Sequence, residues 1–424
     1  MRIALVSYYT PPQPAVASHR VLRMTRALLG AGHQVLWVTQ EEESLLFRDP
    51  TLASLVPEKV KVLGLGGPTL WSRPAARNLP EKVLRNLAWL APRWLALPDS
   101  HLEWAWRLVR RLPGICREEG VEAVLLCCGP HGQILAVPRL RRLLPGLKIL
   151  VDYRDLLSGN PWNEPSREGL RRRLLARERA LLARADRLFL NTRRARERFL
   201  QVVGEIPGLQ VEVVPNGADY GLAREVPAGP FAFDPGPGRH LGYFGTIFPG
   251  RRLAPVLEAA AALPEGPREK FRLHCFIGEG DSRALLQDDL ARLGLGDPEW
   301  IVLHPLLPYG EALAAMRAMD ALLLVNGPTP EDGVFVPGKI FDYLMARRPV
   351  LFWGSRGDAA RIVERASGRE WCFFPGDRGG LRVFLEEFAR GERPPDLEPV
   401  EEFGVERAFE PLLSALAAGG GGEK

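Results

Sequence analysis

Lysine is scarce in this chain of 424 residues: only 7 of its 56 basic residues are lysine, the others arginine. Cysteine is scarce as well. There are five, an odd number without regular spacing, which argues against a disulfide framework. No C-x-x-C pair occurs, which argues against a zinc site. Reduced thiols fit the cytosol, and Cys127 and Cys128, inside an apolar run, read as buried strand residues. No run of 18 apolar residues appears, so nothing is expected to span a membrane. The opening "MRIALVSYYTPP" is too short in apolar residues for a signal peptide and lacks a small-residue cleavage site. A cytoplasmic place follows as the expectation. The first strand-loop-helix unit, "SYYTPPQPAVASHR", has no G-x-G-x-x-G, which argues against dinucleotide hydride chemistry. Basic residues are not interleaved with aromatics, which argues against nucleic acid.

What is present is an ordinary soluble composition, 46% apolar and 25% charged, with a net charge of +5. The length suggests two domains. Positive charge concentrates between Arg167 and Arg198, where 12 arginines face four acids. That segment is either the solvated face of amphipathic helices or a surface drawn to anionic membrane or an acidic substrate.

Apolar strand-like runs alternate with helical periods, the mark of parallel α/β architecture. Strands are predicted at 2–7, 34–39, 121–127, 147–152 and 187–190, with helices at 19–30, 104–119, 132–143 and 167–184. The pattern stops at "VEVVPNGADY" (211–220), and "VPAGPFAFDPGPG" (226–238) reads as a linker. It restarts with strands 240–245, 272–277, 300–303, 320–325 and 349–353, and helices 252–262, 282–293, 309–318 and 338–346. This predicts two doubly wound domains, 1–225 and 239–400, facing a central cleft, with ligands beyond the carboxyl ends of the strands. A last helix, about 401–418, could return to the first domain.

Three loops carry candidate chemistry in the second half. In "LGYFGTIFPGRR" a strand ends at Gly245 and Thr246, and Arg251 and Arg252 open a helix, an arrangement suited to a phosphate or diphosphate. "FIGEGDSR" places Gly278 and Glu279 in a tight turn after a strand. In "GVFVPGKIFDYLMARRPVLF", Pro337 and Gly338 precede Lys339 in the first turn of a helix, where the helix dipole favours an anion. Asp342 lies one turn on, so Lys339–Asp342 reads either as an intrahelical ion pair or as two ligand contacts. Two cationic sites and a carboxylate fit a sugar nucleotide: cations on the diphosphate, carboxylate on ribose hydroxyls. In the first half, "CCGPHGQ" and "VDYRDLLSGNPW" supply His131, Arg154 and Asp155. The cluster Asp152–Asp155 would cost stability unless used.

These stretches together resemble the family 4 glycosyltransferases. The match runs in order through "SYYTPP" with "SHR", "LPDSHLEWAW", "GPH", "VDYRD", "ADRLFLNT", "VVPNGAD", "YFGTIFPGR", "FIGEG", "MDALLLV" and "VPGKIFDYLMARRPVL". The resemblance implies the GT-B fold and retaining transfer of a sugar from a nucleotide-diphosphate sugar to a glycan or lipid-linked acceptor, in cell-surface polysaccharide or glycolipid synthesis. It assigns Arg251 and Lys339 to the diphosphate, with Gly245 and Thr246 in the donor loop, and Asp342 to the ribose. Backbone at Gly278–Glu279 and Leu306–Leu307 would cradle the base. Asp155, Arg154 and His131 would form the catalytic set facing transferred sugar and acceptor. No cofactor or metal is implied, since cations and a helix start already neutralise the phosphates.

The sequence departs from the family at three places. The family's donor helix commonly carries two glutamates separated by seven residues; here the second place is Asp342 and the first is Val334. The donor sugar must then be held by backbone of 333–336, including Gly333, or by Glu331 or Asp332. Thr246 stands where an arginine is usual, leaving Arg251 and Arg252 to share the charge. "QPAVAS" replaces a glycine pair in the first loop. Two other functions stay open: a sugar-nucleotide epimerase of the same fold, and a catalytically degenerate sugar-nucleotide-binding protein. The segment 84–106, with four tryptophans, either packs inside the first domain or touches a membrane carrying the acceptor. Peripheral contact at the inner membrane face would run through it or through 167–198.

Overall fold

A computed structural model of the chain describes residues 1–66, 79–95, 98–160, 165, 167–226 and 233–417, with backbone only for 88–95. Two compact units emerge: Met1–Gly217 with Val405–Lys424, and Ala218–Gly404.

The first unit is built on seven parallel strands: β1 (Arg2–Val6), β2 (Gln34–Thr39), β3 (Lys61–Gly64), β4 (Ala123–Cys128), β5 (Lys148–Tyr153), β6 (Arg187–Leu190) and β7 (Gln210–Val213). Their order is β3-β2-β1-β4-β5-β6-β7. Central strands such as "AVLLCC" of β4 are buried along their whole length, because helices cover both faces. Alternate residues serve the two layers. Ala4, Val6, Val124, Leu126, Ile149 and Val151 pack on one side. Ile3, Leu5, Ala123, Leu125 and Leu150 pack on the other, with the helix Val16–Gly30 and with Val405, Phe409, Leu412 and Leu416 of the C-terminal helices.

The second unit repeats the plan with β8 (Arg239–Phe244), β9 (Phe271–Phe276), β10 (Ile301–His304), β11 (Ala321–Val325), β12 (Val350–Trp353) and β13 (Cys372–Phe373). The order is β10-β9-β8-β11-β12-β13. One face packs Leu241, Tyr243, Leu273, Cys275, Leu323 and Val325. The other carries a row of imidazoles. His240 Nδ1 meets His274 Nε2, and His274 Nδ1 meets His304 Nε2, each at 3.0 Å. His240 Nε2 donates to the Gly236 carbonyl, which orients the whole row. Burial keeps it uncharged, pushing His274 down to about 3.

The strand-helix alternation and the two doubly wound sheets follow the sequence expectation, with corrections at the edges. The alternation continues past 211, since Gln210–Val213 is a seventh strand. It is an edge strand, half exposed and polar at alternate positions, so it lacks the apolar run that marks central strands. The edge strand β3 and the helix Leu79–Leu95 also lacked a clear signal. The first helix begins at Val16 rather than 19. The chain enters the second unit at Ala218, ahead of the expected linker, of which 227–232 lie outside the described residues. All five cysteines are free and buried.

Candidate functional site

In each sheet the strand order reverses direction at one point, between β1 and β4 and between β8 and β11. Loops diverge there and leave room for a ligand.

In the second unit, β8 ends at Phe244, and Gly245 takes φ +98°, a conformation that side chains rarely adopt. The turn is then pinned by the Tyr243 hydroxyl, which donates to the Thr246 carbonyl at 2.9 Å. Lys339, in the first turn of the helix Lys339–Ala346, reaches back to this turn. Its ammonium donates to the Phe244 carbonyl at 2.9 Å and stands 3.9 Å over the Tyr243 ring. No described carboxylate pairs with it, so the intrahelical pair with Asp342 is not what forms. Arg251 lies on the same loop, its guanidinium 5.7 Å from the Phe335 ring centre. Burial, and then the Arg251 charge, push the Lys339 amine down to about 7. A buried amine with a guanidinium charge nearby is the kind of perturbed group found where an anion binds.

Arg252 does not share that role. It is engaged by Asp288 at 2.7 Å and Asp289 at 2.8 Å, which hold its charge against the helix Asp281–Arg292. Asp342 accepts from the Tyr309 hydroxyl at 3.1 Å, at the start of the helix Tyr309–Ala318. Tyr309 was missed from sequence; a proline-tyrosine helix start after β10 was the available signal. A Cβ on Gly278 would meet Leu306 Cδ1 at 3.1 Å, so the Gly278–Glu279 turn and the Leu306–Leu307 segment touch. The Glu279 carboxylate itself pairs with Arg283 on the surface.

The loop after β11 is tied down by its own side chains. Thr329 and Asp332 form a reciprocal cap on the short turn Pro330–Val334. The buried Asn326 side chain donates to the Asp332 and Phe335 carbonyls. Asp332 is buried, and its Oδ2 accepts from the Thr329 amide and hydroxyl. It is therefore a structural cap and no longer a candidate for holding a sugar, whereas Glu331 is exposed. A Cβ on Gly357 would lie 2.5 Å from the Gly333 carbonyl, so Gly333 is wedged there, with Val334 beside it.

In the first unit, the structure brings His131, Arg154 and Asp155 together. His131 Nε2 lies 2.8 Å from the Asp155 carbonyl, which accepts only from N–H, so Nδ1 carries the lone pair of the neutral ring. The ring stands edge-on to Tyr153, and burial lowers its basicity while Asp155 and Asp99 oppose that. Arg154 Nε donates to Asp155 Oδ2 at 3.1 Å, and its guanidinium covers Gly129. Asp152 is not part of this group. Its carboxylate is buried and doubly bonded by Arg20, at 2.9 and 2.6 Å. Arg20 also donates to the Asn216 side chain and the Val214 carbonyl, tying three segments together. Beneath the loop, Ser158 N donates to Glu178, a carboxyl that burial pushes up to about 7. Among the described residues no three or more His, Cys, Asp or Glu are grouped to hold a metal ion.

Residues 17–221 match the sequence model described as Glycosyltransferase Family 4. No curated protein sequence matches the chain significantly. Among solved structures, sucrose-phosphate synthase from Thermosynechococcus elongatus is 16% identical. It covers 98% of this chain and 97% of its own, with a TM-score of 0.58. An α,α-trehalose-phosphate synthase (UDP-forming) from Burkholderia xenovorans, in complex with glucose-6-phosphate, is 14% identical over 98% of this chain and 99% of its own, with a TM-score of 0.65. Anabaena HepE in complex with UDP and glucose is 14% identical over 99% and 100%, with a TM-score of 0.60.

Proposed function

We propose, for a chain that belongs to glycosyltransferase family 4 and is built on the GT-B fold, that it moves a sugar from a nucleotide-diphosphate sugar to a glycan or lipid-linked acceptor with retention of configuration. The observation that carries this reading is the pair of cations, Arg251 and Lys339, at the point of strand reversal in the second sheet. As the glycosidic bond breaks, the leaving diphosphate gains charge, which these cations stabilise more than they stabilise the ground state. Asp342, oriented by Tyr309, accepts from the ribose hydroxyls. The contact between Gly278 and Leu306 forms the floor for the base. The solved relatives bound to UDP favour a uridine nucleotide. His131, with an acceptor at Nδ1, and the Arg154–Asp155 pair serve the transferred sugar and acceptor.

The acceptor side points to a membrane surface. The helix Leu79–Leu95 exposes Leu79, Val83, Leu84 and Leu87, spaced along one side, with Lys82 among them. It packs beside the helix Glu168–Leu182, which exposes Arg171, Arg172, Arg173 and Arg177. An apolar stripe next to a basic face suits an anionic lipid surface that holds a lipid-linked acceptor in reach. Of the four tryptophans in 84–106, Trp104 is core and Trp106 is exposed under Arg110; the side chains of Trp89 and Trp94 lie outside the described residues. No helix of the described residues is long and apolar enough to cross a membrane.

A thermal-shift screen of nucleoside diphosphates and sugar nucleotides, followed by transfer assays, tests the reading, because a tight ligand raises the melting point by mass action. A shift with UDP that is absent from the Lys339→Met protein supports it. Binding without transfer to any acceptor would favour the degenerate binding protein, and conversion of the donor alone would favour an epimerase.

A further inference from the structure

We propose that Asp99 is a positioning residue for His131, acting through the helix start that carries it. The inference rests on the role given to His131 above.

His131 opens the tight turn His131–Ala136, which runs on into the helix Val137–Leu143. Pro130 occupies the capping position and has no side-chain oxygen to offer the first amides. The Gly132 amide instead donates to Asp99 Oδ2, from a residue 33 positions away. The other oxygen, Oδ1, accepts the His101 amide at 2.7 Å and lies 3.7 Å from His101 Nδ1. The carboxylate is thus clamped at both oxygens. A Cβ on Gly132 would stand 3.2 Å from Asp99 Oδ1 and 3.2 Å from Ala105 Cβ, so a glycine is what lets the carboxylate come this close.

The segment bearing Asp99 is itself anchored. The Tyr8 ring, at the end of β1, packs edge-on against His101 at 4.8 Å and the buried Trp104 at 5.5 Å. His131 is therefore held twice, its backbone by Asp99 and its ring by the Asp155 carbonyl. Asp99 also places a negative charge toward the ring. Asp155 acts in the same sense and Arg154 against it; the Tyr153 ring meets the imidazole edge-on, and Tyr9 lies near both Asp99 and Arg154. The aspartate of "LPDSHLEWAW" thereby fixes a histidine on a different loop.

The test uses the full chain and two variants. Asp99→Asn keeps an oxygen for the Gly132 amide and removes the charge, whereas Asp99→Ala removes both. With seven histidines in the chain, the His131 proton resonance can be assigned by comparison with His131→Gln and titrated by NMR. The His131 midpoint should fall by about half a pH unit or more in Asp99→Asn. Turnover should fall about tenfold in Asp99→Asn and about a hundredfold in Asp99→Ala, with nucleoside-diphosphate affinity unchanged. An unmoved midpoint in a folded Asp99→Asn protein, or unchanged turnover in Asp99→Ala, would overturn the proposal. The NMR arm needs no activity. A wild-type protein that transfers nothing would sink the transfer reading alone and leave the Asp99–His131 coupling to the titration.

Discussion

The strand-reversal points of the two sheets hold charge in opposite ways. In the first unit, opposite charges meet: Arg20 with Asp152 and Arg154 with Asp155. In the second, burial and then the nearby Arg251 charge depress the basicity of Lys339. Opposite charges in contact hold a fold together, or fix side chains in place, without needing a further partner. Like charges held near one another do neither, and such an arrangement makes physical sense when an anion is to come between them. The first edge is thus compensated by its own ion pairs, and under the proposed function a diphosphate would add charge compensation at the second.

The largest effect should come from breaking the compensated edge. Arg20→Ala leaves Asp152 buried without its cation and should cost about 3–5 kcal/mol of stability, read by urea unfolding. A loss below about 1 kcal/mol would mean that water replaces the arginine and that the pair does not hold the helix Val16–Gly30 to the 214–216 segment.

The complementary change in the second unit should behave in the reverse way. Folding lowers the Lys339 pKa, so the charged amine is less stable in the fold than in the unfolded chain. That penalty applies at every pH below the unfolded value near 10.4. Lys339→Met should therefore leave stability unchanged or slightly higher at pH 7–8. Turnover should nevertheless fall by about 10²–10³, the usual effect of removing one charge-stabilising donor. Equal losses of stability and turnover would erase the contrast between the two edges.

A smaller effect sharpens the same comparison. Tyr309→Phe removes the hydroxyl that orients Asp342 and should weaken nucleotide binding by about two- to tenfold, about 0.5–1.4 kcal/mol, measured by calorimetry. Deoxyribose and ribose nucleotides should then bind more nearly alike; an undiminished preference for ribose would remove Asp342 from that role.

Much of this architecture is legible in the sequence, because buried parallel strands are apolar along their length and their helices are amphipathic. The helix at Lys339 is an example: proline and glycine mark its start, and Ile340, Phe341, Tyr343 and Leu344 its buried side. The edge strand Gln210–Val213 was not legible, since it is short, none of its residues is fully buried, and Gln210 and Glu212 break the apolar run. Within the site, residue types and spacing singled out Arg251, Lys339 and Asp342, but partners could not be read. Asp342 meets Tyr309 from 33 positions away, and Asp152 meets Arg20 from 132 away. Charge alone could not separate Arg251 from Arg252. The difference lies in Asp288 and Asp289, which a neighbouring helix brings to only one of them.

The most direct test of the central claim is the number of protons taken up when UDP binds at pH 8, measured by calorimetry in two buffers of different ionisation heat. With its amine near pKa 7, Lys339 is mostly neutral at that pH, and a diphosphate should recharge it. Uptake should approach one proton. Affinity should be strongest below about pH 7 and fall as pH rises toward the raised pKa of the bound state. Lys339→Met should abolish the uptake. Tight UDP binding with no proton uptake, and an affinity flat from pH 6 to 9, would contradict the claim that the diphosphate sits between these two cations.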